Sequence, residues 1–338
     1  MSASSRPTLT PSAVDTRRRR LLGAVAASPL ALAAPSWAAA PDNKPLRLIV
    51  PFPAGGGVDV FARPLAPALS EALGVPVVIE NIGGAASRIG SLRVAQSAPD
   101  GTTLLLTNDT LVASDAVARA AGQEAVLPRL KPVTLAITSC NLFVTHPKSG
   151  FSDPAGYLRA LKTGKVNIGV PGWGTAHHLT SATLNHRLGV SAQHIPYRGG
   201  APLLNDVLSG TLQAGVVTMA AALGHIQAGT LVGIAVTSPK RAPALPAVPT
   251  LTESIAPGYT HQTWQGLLAP AGTPDAIVAR LHAGVVQALR HPSVIERLPT
   301  LGFDAEGQSG PAFGAMLDES YRNFEAVVRA TGIQAEQG

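Results

Sequence analysis

Residues 46–59, LRLIVPFPAGGGVD, set the tightest constraint on what this chain can fold into. Leu46, Leu48, Ile49 and Val50 are apolar, with only Arg47 among them. A near-continuous apolar run suits a parallel strand covered on both faces. Pro51 and Pro53 cannot continue a ladder. Gly55, Gly56 and Gly57 follow without side chains, and Asp59 can cap a helix N-terminus. A strand, a glycine turn and a helix start in this order leave backbone N–H groups unpaired and aimed outward. The helix dipole adds partial positive charge there, so the turn is a ready site for an anion. Residues 66–73 complete a helical pattern. Pro64 and Pro67 imply that this helix starts later than Asp59 or has a distorted first turn.

The same theme recurs downstream. Residues 75–80 read as a strand, 81–90 as a second glycine-rich loop leading into a helix through Val94, and 103–107 as a third strand. Residues 153–161 read as a helix and 166–170 as a strand. Pro171-Gly172-Trp173-Gly174-Thr175 is another strand-to-helix turn, with its helix running to Leu188. A short strand at 194–197, a turn at Arg198-Gly199-Gly200, strands at 216–217 and 233–237, and a helix around His225 follow. Residues 266–269 are apolar, and 274–289 and 311–329 read as amphipathic helices. Strands alternating with helices at this spacing imply parallel βαβ units and an α/β fold.

At 338 residues the chain is long enough for two domains. It is 46% hydrophobic and 14% charged, which argues for large cores and against disorder. Aromatic content of 4% disfavours a base-stacking platform. The formal charge is +6, but Arg6, the arginines at 17–20 and Asp15 all lie in residues 1–38. Without that stretch the balance falls to about +2, so no basic footprint for nucleic acid remains.

Residues 1–38 read as a signal peptide. Four arginines precede the apolar run 21–34, and Ser36-Trp37-Ala38 offers a small-x-small cleavage site. The run is short for a membrane span and contains Pro29. Arg18-Arg19-Arg20-Leu21-Leu22 fits a twin-arginine pattern loosely, so Sec and twin-arginine export both stay open. The mature chain is expected to start near Ala39, in a bacterial periplasm. Cys140 is the only cysteine, which excludes an internal disulfide and a thiolate metal cluster.

Taken together the residues resemble the substrate-binding proteins of tripartite tricarboxylate transporters, the TctC or Bug family. The marks are residues 47–53 with the glycine turn and Asp59, Val77-Val78-Ile79-Glu80-Asn81, and Pro99-Asp100-Gly101 with Leu104-Leu105. Pro196-Tyr197-Arg198-Gly199 with Ala201-Pro202, Ala235-Val236-Thr237-Ser238 with Arg241, and Leu245-Pro246-x-Val248-Pro249-Thr250 with Glu253 continue the series. Pro257-Gly258-Tyr259 and Trp264 with residues 269–274 complete it. The resemblance covers nearly all of the mature chain.

It implies a two-lobed periplasmic binding protein-like fold of type II, each lobe a parallel-rich sheet flanked by helices. Lobe 1 would take residues 42–141 plus 266–338 and lobe 2 residues 142–265, with hinge crossings near 142–145 and 262–266. A small carboxylate would sit between them, held by Pro53, Ala54, Gly55, Gly56, Gly57 and Asp59 on one wall. Gly172, Trp173, Gly174, Thr175, His178 and Tyr197 would face it from the other. Opposed helix starts suit one anionic group, and ligands of open α/β sheets bind beyond the carboxyl ends of strands. Departures from the family pattern stand at Gly57 and Val58, where hydroxyl residues are common, and at Val170 and Pro171, where serines are. Ile82-Gly83, Ser87, Arg88 and Ala214 also differ. Arg88 or Arg198 is left to supply charge.

Several of these residues carry a plainer role as well. Asp59 is a helix cap first, since a carboxylate repels an anion. Trp173 either packs locally or reaches the cleft. Thr175 either caps its helix or donates to a ligand, and Tyr197 has a hydroxyl free to bond one. Adjacent His177 and His178 point different ways on a helix, so they do not make a metal pair; His178 supports its loop.

The expected function is a periplasmic solute-binding protein that captures a small organic acid for integral membrane transporter subunits, without cofactor, metal or nucleic acid, and as a monomer. A periplasmic sensor is the alternative, and a hydrolase a weaker one. No G-x-S-x-G elbow, H-E-x-x-H or G-x-G-x-x-G fingerprint is present.

Overall fold

The computed structural model describes residues 44–334; the signal peptide expected at residues 1–38 lies outside them. The chain begins with β1 (Leu46–Val50), α1 (Gly57–Leu73), β2 (Val77–Asn81), α2 (Arg88–Ala95), β3 (Thr103–Asn108) and α3 (Thr110–Ala120). β1 is parallel to both neighbours, with Leu48 opposite Ile79 on one side and Leu104 on the other. Next come β4 (Leu130–Thr145), α4 (Pro154–Lys162), β5 (Asn167–Val170), α5 (Ala176–Leu188), β6 (Gln193–Pro196), α6 (Gly200–Leu208), β7 (Ala214–Thr218), α7 (Met219–Gln227) and β8 (Val232–Val236). β9 (Gln262–Pro270), α8 (Asp275–Leu289), α9 (Pro292–Ile295), β10 (Asp304–Ser309) and α10 (Gly310–Thr331) complete it.

The strands form two sheets that share β4. Residues 130–140 of β4 pair with β9, and Thr134 to Thr138 also pair with β10. From Asn141 to Thr145 the same strand pairs with β7 and β8. The fold is therefore two-lobed, and its connecting strand changes sheet between Cys140 and Asn141. The βαβ units are parallel as expected at β1, β2 and β3 and at β5, β6 and β7. The middle is not: β9, β4 and β10 run antiparallel to their neighbours, so each sheet is mixed.

Each sheet is covered on both faces. On the first, Phe61, Leu65 and Leu69 of α1 pack with Val285 and Leu289 of α8. On its other face lie Leu111 and Val117 of α3 with Phe313, Leu317 and Phe324 of α10. The second sheet carries Leu203, Val207 and Leu223 on one side and Tyr157, Leu161 and Leu184 on the other. Burying one such side chain is worth about 1.5–3 kcal/mol.

α1 starts at Gly57, earlier than its prolines suggested, and contains both Pro64 and Pro67. Pro64 is half-buried and Pro67 exposed. The carbonyls that lose an intrahelical donor, those of Val60 and Arg63, lie on the outer flank of the helix. The inner stripe from Val58 to Leu69 keeps its packing.

Candidate functional site

The carboxyl ends of β1, β3, β5 and β7 each lead into a helix, and those helix starts converge. The N-cap of α1 is Gly56, in extended conformation and without a side-chain cap. Asp59 is not that cap. Its buried carboxylate reaches back to accept the Gly55 N–H at 2.9 Å, Arg63 Nε at 2.8 Å and Asn81 Nδ2 at 3.1 Å. Burial works to raise its pKa, but the bonds from Gly55, Arg63 and Asn81 outweigh it and hold the carboxyl below its ordinary value. One amide of the glycine turn, that of Gly55, is thus already used. The amides of Gly56, Gly57 and Val58 make no hydrogen bond to the protein.

These three residues line a cavity of about 50 Å³ whose walls also include Phe52, Pro53, Ala54, Asn108, Thr110, Thr175, His177, Gly200 and Thr218. No Lys, Arg, Asp or Glu side chain lines it. A larger space of about 960 Å³, walled by Trp173, Tyr197, Arg198, Val117 and the 83–88 loop, adjoins it. The two share Phe52, Pro53, Pro171, Thr175 and Gly199. They form an inner chamber and its mouth.

The lobes touch around the chamber. A Cβ on Gly199 would lie 3.2 Å from Pro53 Cγ, and one on Gly57 would lie 2.9 Å from the Thr218 Cβ. Gly57 therefore has no room for a side chain here. Thr218, from the opposite lobe, fills the space and brings its own hydroxyl, 3.1 Å from His177 Nε2.

The second loop is held from within. Thr175 is the N-cap of α5: its Oγ1 accepts the His178 N–H at 3.3 Å and donates to the Gly172 carbonyl at 2.8 Å. His178 Nδ1 accepts the Gly174 N–H at 3.1 Å. The imidazole is fully buried between Trp173, with ring centroids 4.1 Å apart, and His194 at 4.9 Å. Burial, then the neighbouring His194, drives its pKa down to about 3. Burial takes His177 and His194 down to about 4. All three rings are neutral near pH 7. Cys140 is buried against Met219, and burial raises its thiol to about 11.

Of the residues expected to bind, Pro53, Ala54, Gly56, Gly57 and Thr175 line the inner chamber. Gly172, Trp173, Gly174 and Tyr197 line the mouth, which also includes Pro53 and Thr175. Gly55, Asp59 and His178 line neither; they brace the two loops from behind. The Tyr197 hydroxyl is not free, because it donates to Asp206 Oδ2 at 2.7 Å. Arg88 is spent on Asp115 Oδ1 and the Glu124 carbonyl, both at 2.7 Å. Arg198, exposed at the mouth, has no partner among the described residues. Asn108, Thr110, His177 and Thr218 are chamber residues that sequence reasoning missed. The Asn-Asp-Thr run at the end of an apolar strand is a helix-start signal that would have pointed to the first two.

The sequence matches the family described as the tripartite tricarboxylate transporter family receptor over residues 61–333. It is 32% identical to protein BugT of Bordetella pertussis, across 90% of this chain and 94% of that protein. Among solved structures, the periplasmic binding protein BugD superposes with a TM-score of 0.81 at 30% identity, covering 86% of this chain and 98% of the other. A Rhodopseudomonas palustris protein solved with adipate gives 0.81 at 29% identity, covering 86% and 97%.

Proposed function

The chain belongs to the TctC family of tripartite tricarboxylate transporter receptors, periplasmic solute-binding proteins, and from that premise we propose that it captures a small organic acid by its carboxylate in the inner chamber. The observation that carries this reading is the chamber itself: three residues with unpartnered helix-start amides line a space with no ionised side chain. Such amides, backed by the α1 dipole, stabilise negative charge without a counter-ion. The adipate in a structural neighbour is of the same chemical class.

In this reading lobe 1 is built on the first sheet and lobe 2 on the second. The hinge expected near 142–145 and 262–266 moves to the crossings at Cys140–Asn141 and just before Gln262, because Leu142–Thr145 pair within the second sheet and Gln262–Gln265 within the first. The leader at residues 1–38 directs export of the precursor, and the mature protein hands its ligand to membrane subunits. No covalent step is needed, and the family and fold are those of binding proteins. A sensing role would use the same closed form with another partner.

Trp173 lies at the mouth and Trp264 is buried against Phe313 in the first lobe's core. Titration with mono-, di- and aromatic carboxylates is expected to change Trp173 fluorescence saturably, with the compound recovered unaltered. Turnover would instead favour an enzyme. Gly56 has an ordinary φ of −74° and space for a Cβ, 3.5 Å from the Pro53 carbonyl. Gly56→Leu should therefore fold and lose binding at least 100-fold. Unchanged affinity would remove this turn from the site.

A further inference from the structure

We infer that Asn108 is the side chain that restricts the inner chamber to pure hydrogen-bond acceptors, so that it admits a carboxylate and rejects the matching carboxamide or amine. This rests on the proposed capture of a carboxylate in the chamber. Asn108 is the last residue of β3, 95% buried, and lines the chamber. Its Oδ1 accepts the Thr110 N–H at 3.1 Å, an Asx turn that starts α3. That bond fixes how the amide is turned, since only the oxygen can face an N–H donor.

The other end of the amide, Nδ2, makes no hydrogen bond to the protein. It is also absent from the buried side-chain atoms that are sealed from the surface without a partner. It is therefore open to the chamber. All that Asn108 can present there is N–H.

The free amides of Gly56, Gly57 and Val58 are donors only. The chamber's hydroxyls, which could accept as well, are already engaged: Thr110 accepts the Ala176 N–H at 3.4 Å, Thr218 is 3.1 Å from His177 Nε2, and Thr175 accepts the His178 N–H and donates to the Gly172 carbonyl. A carboxylate satisfies every one of these donors. A carboxamide must point its own NH₂ at one of them, leaving buried donors unpaired, which is where hydrogen-bonding sites gain their discrimination.

The test uses adipate, hexanoate and benzoate beside adipamide, hexanamide and benzamide, measured by calorimetry on the mature protein. Wild type should prefer the acid it binds best over its amide by at least 100-fold. Asn108→Asp keeps an oxygen for the Thr110 N–H but turns a second oxygen, charged, toward the ligand. It should weaken the acid at least 100-fold and reduce the acid-to-amide preference at least tenfold. Asn108→Ala, which carries no buried charge, should weaken the acid about tenfold and serves if the Asp variant fails to fold.

Acid affinity and preference unchanged in either folded variant, with binding lost in Gly56→Leu, would overturn the role of Asn108 and leave carboxylate capture standing. Binding retained in Gly56→Leu as well, or no binding of any of the three acids by wild type, would overturn both.

Discussion

The imidazoles of His177 and His178, which are buried, and of His194, which is half-buried, are what one residue-level measurement can reach. His178 has a folded pKa of about 3, and His177 and His194 of about 4, because burial disfavours the cation. In the unfolded chain each returns to about 6.5. Unfolding therefore takes up protons between the two values. The stability these rings contribute is complete above about pH 6.5 and is lost as pH falls toward the folded values, by about 2 kcal/mol for each ring at pH 5. Urea unfolding at pH 7 and pH 5 should show this loss, and His194→Gln should make it smaller. Equal stability at the two pH values would mean that the rings are not buried as described. At this scale the glycine turn was legible because three adjacent glycines after a strand have few structural uses. Thr218 and His177 were not legible, because their role depends on an approach across the cleft, Thr218 against Gly57, that no local pattern encodes.

Among the elements, the loop at residues 83–88 departs most from ordinary backbone. Ala85, Ala86 and Ser87 all have positive φ, at 45°, 47° and 75°. The left-handed region costs a non-glycine residue about 1–2 kcal/mol. Ser87 also buries a hydroxyl without a partner. Arg88, anchored on Asp115 and the Glu124 carbonyl, ties the end of the loop to α3 and the segment after it. Ala86→Gly and Ser87→Gly should each stabilise the protein by about 1 kcal/mol, less than the relief of strain because glycine also loosens the unfolded chain. A lower urea midpoint in both variants would contradict the left-handed turn. The sequence showed this segment as a glycine-rich loop but not its hand. Of β4 it showed only the extended crossing at 142–145, not the strand from Leu130 onward. Thr134, Thr138, Ser139 and Asn141 break up the apolar run of this strand, yet all are buried, because β4 lies inside both sheets. The α1 prolines misled for a related reason: they stand on the outer flank, where lost hydrogen bonds cost least.

In the molecule as a whole, the two lobes meet over a chamber lined by the helix-start residues Gly56, Gly57 and Val58 and by the oriented amide of Asn108. The bracing side chains, Asp59 and His178, stand behind the loops and keep those groups in place. The α/β architecture was legible because it follows from strands, glycine turns and helices in series; its two lobes were expected from the family resemblance, not from that series. The antiparallel middle was not legible, since pairing between β3, β9 and β4 joins segments far apart in sequence. The most direct measurement is a crystal structure of the mature protein purified with the compound it retains, or with the acid it binds best. The expected result is a carboxylate in the inner chamber, its oxygens about 2.7–3.2 Å from the amides of Gly56, Gly57 or Val58. A ligand lodged elsewhere, with those amides bonded to protein atoms, would contradict it.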